Sequence, residues 1–151
     1  MQVTDQQVTE ATRQARGAGW VALMVLIAMA SGRAMTLAFI GSAGDGGPGD
    51  PPAAWLMPLV GDAGIGLAAV VILLLVWRRP TPTTWVLAVV WSAIGVFDAL
   101  AAFIVHTTTP WPEFFMLELF GPTVFFAAAG MHLVIIYLLA RTEIRARFGL
   151  A

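Results

Sequence analysis

The chain has 151 residues, of which 59% are hydrophobic and only 11% are charged, with a formal net charge of −1. These values exclude an ordinary water-soluble domain, which is about half apolar and a quarter charged, and they give no electrostatic basis for binding nucleic acid. The sequence has no cysteine, which excludes disulfides, thiolate metal sites and cysteine nucleophiles. All eight basic residues are arginine, so a lysine Schiff base is excluded as well.

Four apolar runs are each long enough to cross a bilayer, which takes about 20 helical residues. None shows the alternation of a strand, so each is predicted to be a helix. The predicted transmembrane domain covers residues 18–141, between a polar segment at 1–17 and a tail at 142–151. The spans are predicted at about 18–40, 54–77, 84–105 and 114–140.

The segments that join these runs have compositions typical of turns. Gly41 to Pro52 is rich in glycine, proline and aspartate, and Arg78-Arg79-Pro80-Thr81-Pro82 is short enough for a tight turn. Gly121-Pro122 predicts a kink or a restart within the fourth span. We therefore expect an all-α, four-helix transmembrane bundle with up-down-up-down topology.

The distribution of arginine predicts the orientation of the bundle. Arginines occur before span one, between spans two and three, and after span four, whereas the other two connections carry only acidic charges. The positive-inside rule then places both termini in the cytoplasm, and a bacterial inner membrane is the expected location. A signal peptide cleaved after Ala28-Met29-Ala30 is the alternative, but the apolar run continues to Ile40, which favours a span.

Three charged residues fall well inside the predicted spans, where charge is costly and is often retained for function. At a rise of about 1.5 Å per residue, Arg33 and Asp62 lie roughly 10 Å below the outer face and Asp98 roughly 12 Å below it. His132 lies about 13 Å from the inner face. Small residues flank them, including Ser92. We therefore predict that Arg33, Asp62, Asp98, His132 and Ser92 form a buried site for a proton, an ion or a small polar ligand.

Several other interpretations of these residues remain open. Arg33 between two aspartates is also how a bundle buries charge for purely structural reasons, and the chain is then a structural or accessory subunit of a larger membrane complex. A metal held by Asp62, Asp98 and His132 is chemically possible, although an arginine at the same depth opposes it. No cofactor is predicted. Beyond the lipid bilayer, a homo-oligomer or a larger membrane complex is the expected kind of partner.

An intramembrane enzyme is the third functional interpretation. Two aspartates on adjacent spans are a feature of intramembrane aspartyl proteases, but Leu59 precedes Val60-Gly61-Asp62, so the G-x-G-D pattern of that family is missing.

Three short patterns occur together in the sequence: Gly61-Asp62, Gly95-Val96-Phe97-Asp98, and His132 in the fourth span. With them, the run from about Pro58 to Leu139 resembles a group of small four-span bacterial inner-membrane proteins whose function is unassigned. The resemblance implies a bacterial four-helix membrane protein and no particular activity. Arg33 is not part of this pattern.

Overall fold

The computed structural model describes residues 5–150, with side chains from residue 17 onward. The side chains of Arg13 and Arg16, and most of the predicted polar segment 1–17, therefore lie outside the described residues. Within the described range the chain is helical and contains no strand. Four stretches are long and apolar enough to span a membrane: Gly17–Ile40, Ala53–Arg78, Pro82–Thr108 and Thr123–Ala140. The chain is thus an all-α bundle and an integral membrane protein.

The first span consists of three consecutive helical segments. Helix α1 (Asp5–Ala30) passes into a 3₁₀ segment (Ser31–Thr36), which is followed by the single turn α2 (Leu37–Ile40). A 3₁₀ segment within a helix often marks a strained or functional position. Arg33 lies in this segment, so the charged side chain of the first span extends from its least regular part.

The second and third spans are continuous helices that meet at a tight turn. A 3₁₀ turn (Ala53–Trp55) leads into α3 (Leu56–Arg78), and α4 runs from Pro82 to Thr108. Pro82 fits the first turn of α4, where its missing N–H costs nothing, and the Thr81 hydroxyl accepts a hydrogen bond from the Thr84 N–H at 3.2 Å. Helix α4 continues past the predicted end of the span at residue 105, so His106 belongs to the helix.

The fourth span is shorter than the predicted range 114–140. Helix α5 (Phe115–Phe120) is separate from α6 (Thr123–Ala140) because Gly121 adopts φ 57°, a left-handed conformation that glycine tolerates, and Pro122 has no N–H to continue the helix. A last helix, α7 (Thr142–Arg147), begins the segment that the sequence predicts to be a tail. Ile144 and Phe148 of this segment are fully buried.

Two apolar clusters fill the ends of the bundle. The first, here called the Phe148 cluster, includes Leu23, Ile72, Ile135, Leu139 and Phe148. The second, here called the Trp111 cluster, comprises Trp55, Leu59, Trp111, Leu117 and Phe125.

At each end of the bundle, an indole N–H donates a hydrogen bond to a backbone carbonyl of another segment. Trp85 donates to the Leu139 carbonyl at 2.9 Å at the Phe148 end, and Trp111 donates to the Gly49 carbonyl at 3.1 Å at the other. Each span contributes residues to both clusters. The polar residue of each span lies between its buried members of the Phe148 cluster and its residues in the Trp111 cluster: Arg33, Asp62, Asp98 and His132. The polar residues are therefore held at one level by apolar packing above and below.

Candidate functional site

Arg33 is the centre of the polar site and contacts a residue from each of the other three spans. Its Nη2 lies 2.6 Å from Asp98 Oδ2, and its Nε and Nη2 both bind Asp62 Oδ1. Its Nη1 lies 3.0 Å from His132 Nε2 and 3.5 Å from the Gly95 carbonyl oxygen. The structure therefore brings together four of the five residues that the sequence predicts as a site: Arg33, Asp62, Asp98 and His132.

These contacts involve all three nitrogens of the Arg33 guanidinium, which donates hydrogen bonds and accepts none. Nε, Nη1 and Nη2 each donate at least one hydrogen bond, and Nη2 also forms an ion pair with Asp62 Oδ1. An additional anion at this site would lie beside two carboxylates that share one guanidinium.

The aspartates differ from Arg33 because each retains unused capacity. The hydrogen bonds of the described residues use Oδ1 of Asp62 and Oδ2 of Asp98, while Asp62 Oδ2 and Asp98 Oδ1 accept none. The Asp62 side chain keeps 26% of its surface accessible, against 14% for Asp98 and 10% for Arg33. With both carboxylates ionised, Arg33 balances one of them, and the site carries one negative charge in excess.

The contact with Arg33 also fixes the form of His132. Because the guanidinium only donates, His132 Nε2 must accept, and the neutral imidazole then carries its proton on Nδ1. His132 is fully buried, and Nδ1 has no partner among the described residues. The edge of the ring also packs against Trp91, with ring centroids 4.9 Å apart.

Ser92, the fifth predicted site residue, stands apart from the others. It is fully buried, but its hydroxyl makes no hydrogen bond to Arg33, Asp62, Asp98 or His132, nor to any other residue in the described part of the chain. Its role in binding stays a prediction. Asp62, Asp98 and His132 likewise form no metal-binding group: the described chain contains no set of three acidic, histidine or cysteine side chains placed to hold a metal ion. Arg33 contacts all three of them.

Three glycines make the room for this arrangement. A methyl group on Gly95 would meet the His132 ring, and one on Gly61 would meet the Asp98 carboxylate. A methyl group on Gly66 would meet backbone atoms of Arg33 and Ala34, so α3 and the 3₁₀ segment approach each other backbone to backbone. Gly64, on the same helix, faces open space.

A cavity of about 530 Å³ adjoins the polar site. Arg33 and Asp62 lie at its polar end, and most of its wall is apolar. Its aromatic wall is made by Trp55, Trp111, Phe114 and Phe125. Met29 and Met35, which also line it, are more than half exposed on the outside of the bundle, so the cavity opens sideways between the first and fourth spans.

Sequence reasoning overlooked two kinds of residue at this site. Thr36 is buried and its hydroxyl hydrogen-bonds the carbonyls of Arg33 and Leu59, at 2.8 and 3.2 Å, which joins the first two spans beside the site. Its position three residues after Arg33 was the available signal. Trp55 and Trp111 are the second kind: both are almost completely buried in the wall of the cavity.

Comparisons of this chain with protein-family models, with curated proteins and with solved structures found no match. The resemblance to small four-span bacterial proteins therefore stays a prediction, and the site has to be interpreted from its own chemistry.

Proposed function

We propose that this protein is a non-enzymatic membrane protein whose buried Arg33, Asp62, Asp98 and His132 take up one positive charge from the cavity, as a proton or as the charged group of a small ligand. The observation that carries the proposal is the charge count: two carboxylates bind one guanidinium. An uncompensated charge in an apolar interior is costly, so a site with one carboxylate in excess favours a cation.

The proposal also agrees with which atoms remain available. All three nitrogens of Arg33 already donate, and His132 accepts from one of them. Asp62 lines the cavity and keeps one carboxylate oxygen that accepts no hydrogen bond. A carboxylate accepts protons and cationic donors and repels anions.

Infrared spectroscopy of the protein in lipid bilayers tests this proposal. We expect a band from a protonated carboxyl group in the parent protein at neutral pH, because a proton balances the carboxylate in excess of Arg33. Asp62→Asn and Asp98→Asn should each remove the band, because the remaining carboxylate is then balanced by Arg33. Asp45→Asn, which removes an exposed loop carboxyl group, is the matched control and should keep it. A parent spectrum without the band at neutral pH would overturn the proposal.

A further inference from the structure

The shape and chemistry of the cavity narrow the kind of ligand that the site accepts. One end holds the carboxylate of Asp62 beside Arg33, and most of the remaining wall is apolar and aromatic. A volume of about 530 Å³ is in the range of small-molecule sites. A ligand that complements it has one compact cationic group and an apolar body.

We infer that the cavity binds an amphiphilic primary ammonium ion, whose charged nitrogen donates a hydrogen bond to Asp62 and whose apolar body lies between Leu59 and Phe125. This inference rests on the proposed function, because the ammonium ion supplies the positive charge that a proton supplies in the absence of ligand. An anion of the same size is repelled by the carboxylate in excess of Arg33. A neutral molecule makes no ionic contact with Asp62.

The position of the opening fits such a ligand. Met29 and Met35 lie at the mouth and are exposed by 63% and 54% on the surface that the spans present to lipid. An amphiphile dissolved in the bilayer therefore reaches the cavity laterally. Inside, Trp55 and Trp111 belong to the aromatic wall, which suits the apolar body of the ligand.

Tryptophan emission of the protein in bilayers of zwitterionic lipid measures the binding, with octylammonium as the probe. Octanol and octanoate carry the same chain with a neutral and an anionic end, and they separate charge recognition from simple filling of an apolar cavity. We expect octylammonium to change the emission with saturation and to bind about tenfold or more tightly than either control. Equal binding of octanol would overturn the inference, because a lipid chain would then be the natural occupant.

Two variants and one control locate the binding. Asp62→Asn should weaken octylammonium binding by about tenfold or more and leave octanol binding unchanged. Ala102→Leu fills the cavity that Ala102 lines and should abolish the response, whereas Ala101→Leu, on the exposed side of the same helix, should preserve it. Octylammonium binding that is unaffected in both Asp62→Asn and Ala102→Leu would overturn the assignment.

Failure of this inference and failure of the proposed function give different results. If the protonated-carboxyl band is present and octylammonium removes it, the result supports both the proposed function and the ammonium inference. If the band is present and octylammonium at saturating concentration leaves it unchanged, the site takes up a proton and the ammonium assignment is wrong.

Discussion

At the scale of single residues, Arg33 has more counter-charge than it needs. Buried ion pairs contribute little net stability, but removing the last partner of a buried charge is strongly destabilising. Asp62 binds Nε and Nη2 of the guanidinium and Asp98 binds Nη2, so each is able to balance Arg33 in the absence of the other. The site therefore contains one carboxylate that electrostatics alone does not require.

This redundancy predicts a non-additive effect on stability. Asp62→Asn and Asp98→Asn should each melt at or above the temperature of the parent in detergent, because one carboxylate still faces Arg33. The double variant leaves the guanidinium without a counter-charge and should lose about 3–5 kcal/mol of unfolding free energy. Thermal melting of the four proteins measures this. If each single variant loses as much as the double, both aspartates are structural counter-ions and neither is spare.

The sequence was informative about these residues to a limited extent. Depth along each helix follows from a fixed rise per residue, so the level of Arg33, Asp62 and Asp98 is calculable without a structure. Which nitrogen binds which oxygen is not, because it depends on the rotation of each helix about its axis. Ser92 illustrates the difference: it faces the interior as its small-residue neighbours predict, yet its hydroxyl makes no contact with the other four.

At the scale of helices, glycine positions set how closely the spans approach. Gly61 and Gly66 lie on the sides of α3 that face Asp98 and the 3₁₀ segment, whereas Gly64 faces open space. On α4, Gly95 lies against the imidazole of His132. Membrane helices lack a hydrophobic force between them and depend on such close contacts.

We predict a clear division among the alanine substitutions. Gly61→Ala and Gly95→Ala should each destabilise the protein by about 1–3 kcal/mol, because the new methyl group displaces Asp98 or His132. Gly66→Ala should cost at least as much, since its obstacle is backbone, which is less able to move aside. Melting temperatures in detergent test this.

Gly64→Ala and Gly130→Ala are the matched controls on the second and fourth spans, because nothing lies within 4 Å of the added carbon at either position. Both should melt at or above the parent temperature, as expected from the lower helix propensity of glycine. A loss in the controls equal to that of Gly95→Ala would mean that glycine matters here for backbone flexibility instead of close packing.

The sequence predicted the helices better than their interruptions. The apolar runs identify four spans because length and hydrophobicity are additive properties of a segment. The 3₁₀ segment around Arg33 has no such signal. Ser31–Thr36 contains no proline, and its close approach to Gly66 is visible only in the structure. The fourth span is an intermediate case: Gly121-Pro122 indicated a break, but not that the crossing helix begins only at Thr123.

At the scale of the whole molecule, the contacts divide the bundle into two ends with different charge. Trp20 packs against Phe148 with ring centroids 5.9 Å apart, and Arg147 lies over Trp20, so the start of span one and the end of the described chain share one end. The turn with Arg78 and Arg79 is at this end as well, since Trp85 binds Leu139. The other end contains the acidic Gly41–Pro52 loop, fixed by Trp111, and the cavity.

This division leads to a prediction about orientation. We propose that the arginine-rich end faces the cytoplasm, in accordance with the positive-inside rule. The chain has no native cysteine, so single cysteines report on access without background. In spheroplasts of a bacterium that expresses the protein, a membrane-impermeant maleimide should label Asp45→Cys from outside and should not label Thr83→Cys or Thr142→Cys. All three positions are exposed, so burial does not limit the reaction.

Permeabilised spheroplasts provide the control, because all three cysteines should then react. Labelling of Thr83→Cys and Thr142→Cys but not Asp45→Cys in intact spheroplasts would reverse the orientation. The result also bears on the ligand, since the cavity lies in the half of the bundle next to the acidic loop. With the predicted orientation an amphiphilic ammonium ion enters from the outer leaflet, whereas the reversed orientation would have the same site draw its ligand from the cytoplasmic leaflet.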